Sequence, residues 1–278
     1  KRFKAFRAGM QYQESLSNRD VGTCILSISD LHIPFQKPIE TFSEYAGKID
    51  ILQINGDLVD AQAISRFNKV YRKSPMEEIL IARQYMIDLI EMLQPKKVVV
   101  NYGNHDLRFQ NYLAKNLDTD LLELMPKTSL ELIFVDGFNH YNKELHTKVH
   151  YDPLIDVFKD SGIEIVYNDT WFSFVGETIF VHPLAYSSGM LKTAEKAYRY
   201  FKDNDYFFDN IVMAHTHKTG HYDIGNSVIY EQGCCCETSK MDYADGKLTP
   251  SQREGFILVY QDKFGRLNED KTRIVRLN

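Results

Sequence analysis

Apolar residues fall along this chain in short runs, and many of the runs end in a polar cluster. Near the start, Cys24-Ile25-Leu26-Ser27-Ile28, Ile49-Asp50-Ile51-Leu52-Gln53-Ile54 and Val98-Val99-Val100 are brief and rich in β-branched residues, which predicts buried strands. Between the second and third, Pro75 suits a helix start, and Ile79, Met86, Ile90 and Leu93 recur at helical spacing until Pro95 ends the pattern. Strand, helix, strand in this order predicts right-handed crossovers and a mainly parallel sheet. The stretch from Phe109 to Glu177 is less regular, with helical pieces over 111–124 and 153–161, and is expected to form a partly helical cap insertion, 109–177. Further apolar runs at 171–175, 178–181, 211–213, 228–230 and 256–260 predict strands, interrupted by a helix between Ser187 and Lys202. Two facing mixed sheets with helices outside them accommodate both halves. The expected organisation is therefore an N-terminal extension, 1–20, and an α/β domain, 21–278, that carries the insertion.

Composition narrows the function. The 278 residues are 44% hydrophobic and 26% charged, ordinary values for a folded chain, and the formal net charge of -5 supplies no global field to attract polyanions. A phosphate-bearing substrate would need a local source of positive charge. No apolar stretch approaches the roughly 20 residues that span a bilayer, and the first twenty residues lack the apolar core of a secretory signal, so a cytoplasmic protein without a membrane partner is expected. Of the four cysteines, Cys24 stands alone and Cys234, Cys235 and Cys236 are consecutive, without the CxxC spacing of a zinc or redox motif. A reducing compartment and a structural role for the run are the expectation.

The polar clusters carry the chemistry. Ser29-Asp30-Leu31-His32, Asn55-Gly56-Asp57-Leu58-Val59-Asp60 and Gly103-Asn104-His105-Asp106 follow the three early strands, while His182 and His215-Thr216-His217 follow two later ones. Any one of them alone reads as turn chemistry or a hydrogen-bonded structural histidine. Five in order, each after an apolar run, are not explained that way, and the carboxyl ends of parallel strands line one crevice.

With these motifs, running from Asp30 to His217, the sequence resembles the calcineurin-like metallophosphoesterases. The stretch Asp57 to Phe67, with Gln232-Gly233-Cys234 and Met241-Asp242-Tyr243-Ala244, is most similar to the branch common in bacteriophages and prophages, which would place the protein in the cytoplasm of a bacterial host. The resemblance implies a four-layer αββα sandwich. It also implies two divalent metal ions, one held by Asp30, His32 and His217, the other by Asn104, His182 and His215, with Asp57 bridging both. Such nitrogen and oxygen donors suit Mn²⁺ above all, with Fe²⁺, Zn²⁺ or Ni²⁺ as alternatives. Two such ions can share a hydroxide as nucleophile and supply the positive charge the composition lacks. His105 is expected to protonate the leaving oxygen with Asp106 orienting its ring, Asp60 to support a ligand from behind, and Arg66 and Arg108 to reach a substrate phosphate. Asp60 is followed by Ala61-Gln62, and the third cluster ends in Asp106, departures from the protein-phosphatase pattern that favour a phosphodiesterase or nuclease acting on nucleotides or single-stranded nucleic acid. A phosphomonoesterase and a non-catalytic binding scaffold are the alternatives.

Overall fold

The computed structural model describes residues 22–66, 72–144, 146–187, 191–241 and 252–277. The expected extension 1–20, Phe67 and the Asp242-Tyr243-Ala244 segment lie outside the described residues. The strands are β1 (Thr23–Ile28), β2 (Ile51–Asn55), β3 (Lys97–Asn101), β4 (Phe138–Asn142), β5 (Thr147–Tyr151), β6 (Glu164–Asn168), β7 (Phe172–Val175), β8 (Thr178–Val181), β9 (Asn210–Met213), β10 (Thr219–Ile224), β11 (Ser227–Gln232), β12 (Gly255–Gln261) and β13 (Arg273–Arg276). The longer helices are α1 (Pro75–Leu93), α2 (Arg108–Asn116) and α3 (Lys192–Asp203).

Six strands form one sheet in the order β13-β12-β1-β2-β3-β6, and five form a second in the order β10-β11-β9-β8-β7. In the first, β1, β2, β3 and β6 run parallel while β12 and β13 are antiparallel; in the second, β8, β9 and β11 run parallel. Alternation along each strand sorts its side chains into layers. Leu26, Ile28, Leu52 and Val100 pack under α1 with Met86, Leu89 and Leu93. Ile25 of β1 faces Phe180, Val212 and Tyr230 of the other sheet. The opposite faces of β8 and β9, with Ile179, Val181, Ile211 and Met213, lie against Ala194, Ala197 and Phe201 of α3. Helix, sheet, sheet, helix is the expected αββα sandwich.

Local signals fix the ends of α1. The Ser74 side chain accepts from the N–H of Glu77, the Glu77 carboxylate accepts from the N–H of Ser74, and Pro75 occupies the first turn, a capping box that satisfies donors the helix cannot.

The expected insertion needs correction. β6 and β7 lie inside 109–177, yet each is a strand of one of the two main sheets. What stands apart is a group of short helical turns and the β4–β5 ribbon. β4 and β5 escape the pattern because their side chains are mostly exposed or half-buried, so no apolar period marks them. β10 and β13 are edge strands and escape for the same reason.

A polar ribbon crosses the otherwise apolar space between the sheets. Gln53 Nε2 donates to Asn101 Oδ1 at 2.6 Å, Asn101 Nδ2 to Asn55 Oδ1 at 3.0 Å, and Ser173 Oγ to Gln53 Oε1 at 3.1 Å. Each of these residues is fully or almost fully buried, and each finds partners across the gap, as a buried polar group must. The ribbon ties β2 and β3 of one sheet to β7 of the other, directly beneath the polar strand ends.

Candidate metal centre

The carboxyl ends of β1, β2, β3, β8 and β9 meet, and the five clusters meet with them. Asp30 Oδ1 lies 3.1 Å from His217 Nε2 and 3.7 Å from His32 Nε2, and these two ring nitrogens face each other at 3.2 Å. Asp57 Oδ2 lies 3.2 Å from His182 Nε2 and 3.9 Å from His32 Nε2, between the first group and a second. In that second group His182 Nε2 is 3.3 Å from Asn104 Oδ1, and donor atoms of Asp57, His182 and His215 lie within 4.8 Å of one another.

Backbone conformation delivers these side chains. Asp30, His32, Asp57, His215 and His217 have φ of 50°, 44°, 54°, 74° and 53°, in the left-handed region that non-glycine residues seldom enter. Asp and His are among the residue types that tolerate it best, so the ligands and the sharp turns are specified together. A Cβ on Gly103 would stand 2.2 Å from Asp57 Oδ1, and one on Gly56, whose φ is 79°, would stand 2.5 Å from His182 Nδ1. Both glycines are there because the site leaves no room.

The second contacts fix tautomers. His182 Nδ1 donates to the carbonyl of Asn55 at 2.8 Å, which turns the Nε2 lone pair toward Asp57 and Asn104. His215 Nε2 is buried without a hydrogen-bond partner. Ser29 Oγ donates to Asp30 Oδ2 at 2.7 Å, and the N–H of His105 donates to Asp57 Oδ1 at 2.7 Å. Facing ring nitrogens, an orphaned buried lone pair and two carboxylates among imidazoles make a donor set that fits divalent ions.

Electrostatics agree. Burial favours the neutral acid at Asp57 and Asp30, but the imidazoles of His182 and His105 around the one, and of His217 and His182 around the other, hold both carboxyls well below the usual range. Burial pushes His215 down to about 4, leaving it neutral with a free lone pair. His182 moves the other way, to about 9, because Asp57 and Asp30 outweigh its burial. A proton and a cation compete for that ring, so ion binding releases the proton.

The sequence profile described as calcineurin-like phosphoesterase matches residues 25–219, a span that holds all five clusters. The chain belongs to the calcineurin-like phosphoesterase family. It is a metal-dependent phosphoesterase, and members of the family use two metal ions. Among solved structures, an archaeal phosphodiesterase is 14% identical, with 91% of this chain and 99% of that one covered at a TM-score of 0.42. Vps29 from Entamoeba histolytica, complexed with Zn²⁺, is 13% identical over 91% of this chain and 98% of that one, TM-score 0.42. A metallophosphoesterase from Sphaerobacter thermophilus is 14% identical over 92% and 88%, TM-score 0.41. No curated protein matches the sequence.

Of two buried carboxyls beside the centre, Asp60 stands behind the expected ligand His32 and also takes the contact to His105 that was expected of Asp106. Asp106 accepts from the backbone N–H groups of Asp57 and Gly103, both at 2.8 Å, and so binds the second and third loops together instead of orienting His105. Asp60 takes that contact, with Oδ1 3.0 Å from His105 Nδ1 and 3.4 Å from His32 Nδ1. Burial and the charge of Asp57 push Asp106 up to about 7, whereas at Asp60 the His105 and His32 contacts overcome burial and hold the carboxyl far down. Two acids at equal depth differ because one faces a like charge and the other faces two rings.

Arg108 Nη2 contacts His105 Nε2 at 2.9 Å, and Nη1 donates to the Asp60 carbonyl at 2.7 Å. A guanidinium only donates, so His105 Nε2 accepts and its proton sits on Nδ1, toward Asp60. Burial holds His105 down to about 4, in agreement with a neutral ring. Arg66 and Arg108 line a cavity of about 760 Å³ that reaches Asn104. Tyr112 and Lys115 line it too, and the sequence reading passed over them. Their signal was the spacing: Arg108, Asn111, Tyr112 and Lys115 stand at i, i+3, i+4 and i+7 on one face of α2.

Proposed function

We propose that this phosphoesterase is a phosphodiesterase acting on nucleotides or short single-stranded nucleic acid, with Asp30, His32 and His217 holding one divalent ion, Asn104, His182 and His215 the other, and Asp57 shared. The observation that carries the substrate class is the cavity beside Asn104, about 760 Å³ and lined by Arg66, Arg108, Lys115 and Tyr112. A lone phosphate would leave most of that volume unfilled, whereas a nucleotide fits the usual range of ligand sites. The three cations meet phosphate oxygens, and the half-exposed Tyr112 ring offers a face for a base. This is the local positive charge that a chain of net charge -5 needs.

When bound, the two ions neutralise phosphoryl charge and activate water for in-line displacement. The protein's own part begins with Arg108. Turning its guanidinium from His105 to a phosphoryl oxygen frees His105 Nε2. Protonated there, His105 is stabilised by Asp60 at Nδ1 and gives the proton to the leaving oxygen. Mn²⁺ leads among the ions this donor set accepts, with Fe²⁺, Zn²⁺ and Ni²⁺ behind it. The Ile64-Ser65-Arg66 and Gln232-Gly233-Cys234 motifs favour the bacteriophage branch, and with it the cytoplasm of a bacterial host.

Purified protein loaded with Mn²⁺ is assayed on bis-p-nitrophenyl phosphate, p-nitrophenyl phosphate, cyclic nucleotides and single-stranded DNA. The diesters are expected to turn over faster. A preference for p-nitrophenyl phosphate at saturating Mn²⁺ would overturn the reading in favour of a monoesterase.

A further inference from the structure

His217 has two ring nitrogens, and the centre described above uses one. Nε2 faces Asp30 and His32, while Nδ1 is buried without a hydrogen-bond partner although the sulfur of Cys234 stands against the ring. Donor atoms of His217, Cys234 and Cys236 all lie within 4.8 Å of one another, and both cysteines are fully buried. Cys236 Sγ is 3.5 Å from Met241 Sδ, so a thioether completes the group.

The consecutive run explains the placement. Cys234 and Cys236 form isolated β-bridges to Glu254 and Gln36, with Cys235 at a bend between them. Cys235 turns into the core beneath α1, and Cys234 and Cys236 turn together toward Met241 and Phe35. The structural role expected for the whole run therefore holds for Cys235 as packing, while its neighbours converge on an imidazole. All three thiols are free.

We propose that Cys234, Cys236 and His217 Nδ1, with Met241 beside them, form a separate site for a thiophilic d¹⁰ cation of the Zn²⁺, Cd²⁺ and Cu⁺ class. Two thiolates, an imidazole and a thioether are soft donors, whereas the neighbouring groups of carboxylate, amide and imidazole are hard to borderline, so adjacent sites sort ions by donor type. Zinc–sulfur bonds of about 2.3 Å in a tetrahedron place two sulfurs about 3.8 Å apart, so the cluster closes around an ion with shifts of about 1 Å or less. Binding sends two thiol protons to solvent, and a third from Nδ1 when Nε2 serves the other centre. The thiols' present contacts, Cys234 to the Arg253 carbonyl at 3.5 Å and Cys236 to Met241, are weak and easily exchanged for metal bonds. One imidazole then links two metal sites of different chemistry. Only that link rests on the function proposed above.

The test is a Cd²⁺ titration of the full chain after removal of metals with a chelator, followed by the ultraviolet sulfur-to-cadmium charge-transfer band. Cadmium in the nitrogen and oxygen centre gives no such band, so failure of the sulfur site and failure of the dimetal reading are told apart. A band that saturates at one thiolate-bound Cd²⁺ per chain is expected, lost in Cys234→Ser and in Cys236→Ser and kept in Cys24→Ser. Since serine variants can misfold, alkylation of the wild-type chain, unfolded and mapped by mass spectrometry after the reagent is quenched, gives a second measurement. Cd²⁺ should protect Cys234 and Cys236 more than Cys24. Absence of the band, its persistence in both Cys234→Ser and Cys236→Ser, or equal protection of Cys24 would each overturn the proposal.

Discussion

Asp30, His32 and His217 are closed in by protein on every side, whereas in the neighbouring group His215 and Asn104 are half-buried and Asn104 forms part of a cavity wall. The residue types are nearly the same. The surroundings differ: the closed group has Ser29, Asp60 and the cysteine run behind it, and the open group has the Arg108 guanidinium and the face of α2 in front. On the function proposed above, one group serves chiefly to hold and the other chiefly to receive, and Asp57 is the side chain placed between them.

The sharpest way to break this comparison is at Asp57. Asp57→Asn should lower the content of both ions, while Asp30→Asn should lower one, as read by elemental analysis of the purified protein. Losing several kcal/mol of charge stabilisation corresponds to a fall of about 10³-fold or more in kcat/KM for Asp57→Asn. Full retention of two ions by that variant would end the distinction.

His105→Ala tests the open side without touching the proposed ligands. Metal content should be unchanged and turnover should fall about 10²–10⁴-fold, with a smaller fall for substrates whose leaving group needs no proton. An equal loss across good and poor leaving groups would make His105 a positioning residue.

Glu78 braces the same open side from beneath, accepting the N–H of Gln62 at 2.9 Å at the start of the segment that carries Arg66. Burial raises its carboxyl to about 7. A folded-state value above the unfolded one means that its contribution to stability is full below about 4.5 and is lost as pH rises through about 7. Wild type should therefore lose up to about 3 kcal/mol of unfolding free energy over that window, and Glu78→Gln should not. Denaturant melts at pH 5 and pH 8 decide it; parallel slopes in the two proteins would remove Glu78 from the account.

The smallest effect is expected from Asp60→Asn, about 10–100-fold in kcat/KM with both ions retained, since that carboxylate acts through two rings. Asp106→Asn should instead reduce Asp57's hold on ions, because it loosens the loops that Asp106 ties together. If the two variants behave alike, the distinction drawn between these acids is wrong.

The move of the His105 contact from Asp106 to Asp60 also marks where sequence reading stops. The runs ending at Ile28, Ile54 and Val100 announced their strands because burial on both faces leaves a nearly unbroken apolar signature, and the clusters after them announced the site. Which of two nearby aspartates meets His105 depends on the direction in which each loop leaves its strand, and no apolar period encodes that. The polar ribbon was visible only as interruptions, Ser27, Gln53 and Asn55 in otherwise apolar strands, whose partners lie far away in the chain. The β4–β5 ribbon left no trace because most of its side chains are exposed or half-buried.

Five of the proposed metal ligands sit in left-handed backbone, a conformation that costs an ordinary residue on the order of 1 kcal/mol, and two of them are carboxylates buried among rings. The turns that carry the chemistry thus cost the chain backbone strain, while the surrounding rings stabilise the two carboxylates. A copy released from selection for hydrolysis would find, at these same positions, glycines and asparagines that relax the turns, while the αββα sandwich beneath stays intact. From an enzyme built this way, the evolutionary path to a scaffold that only binds partners runs downhill, and the ligands would be the first letters to change.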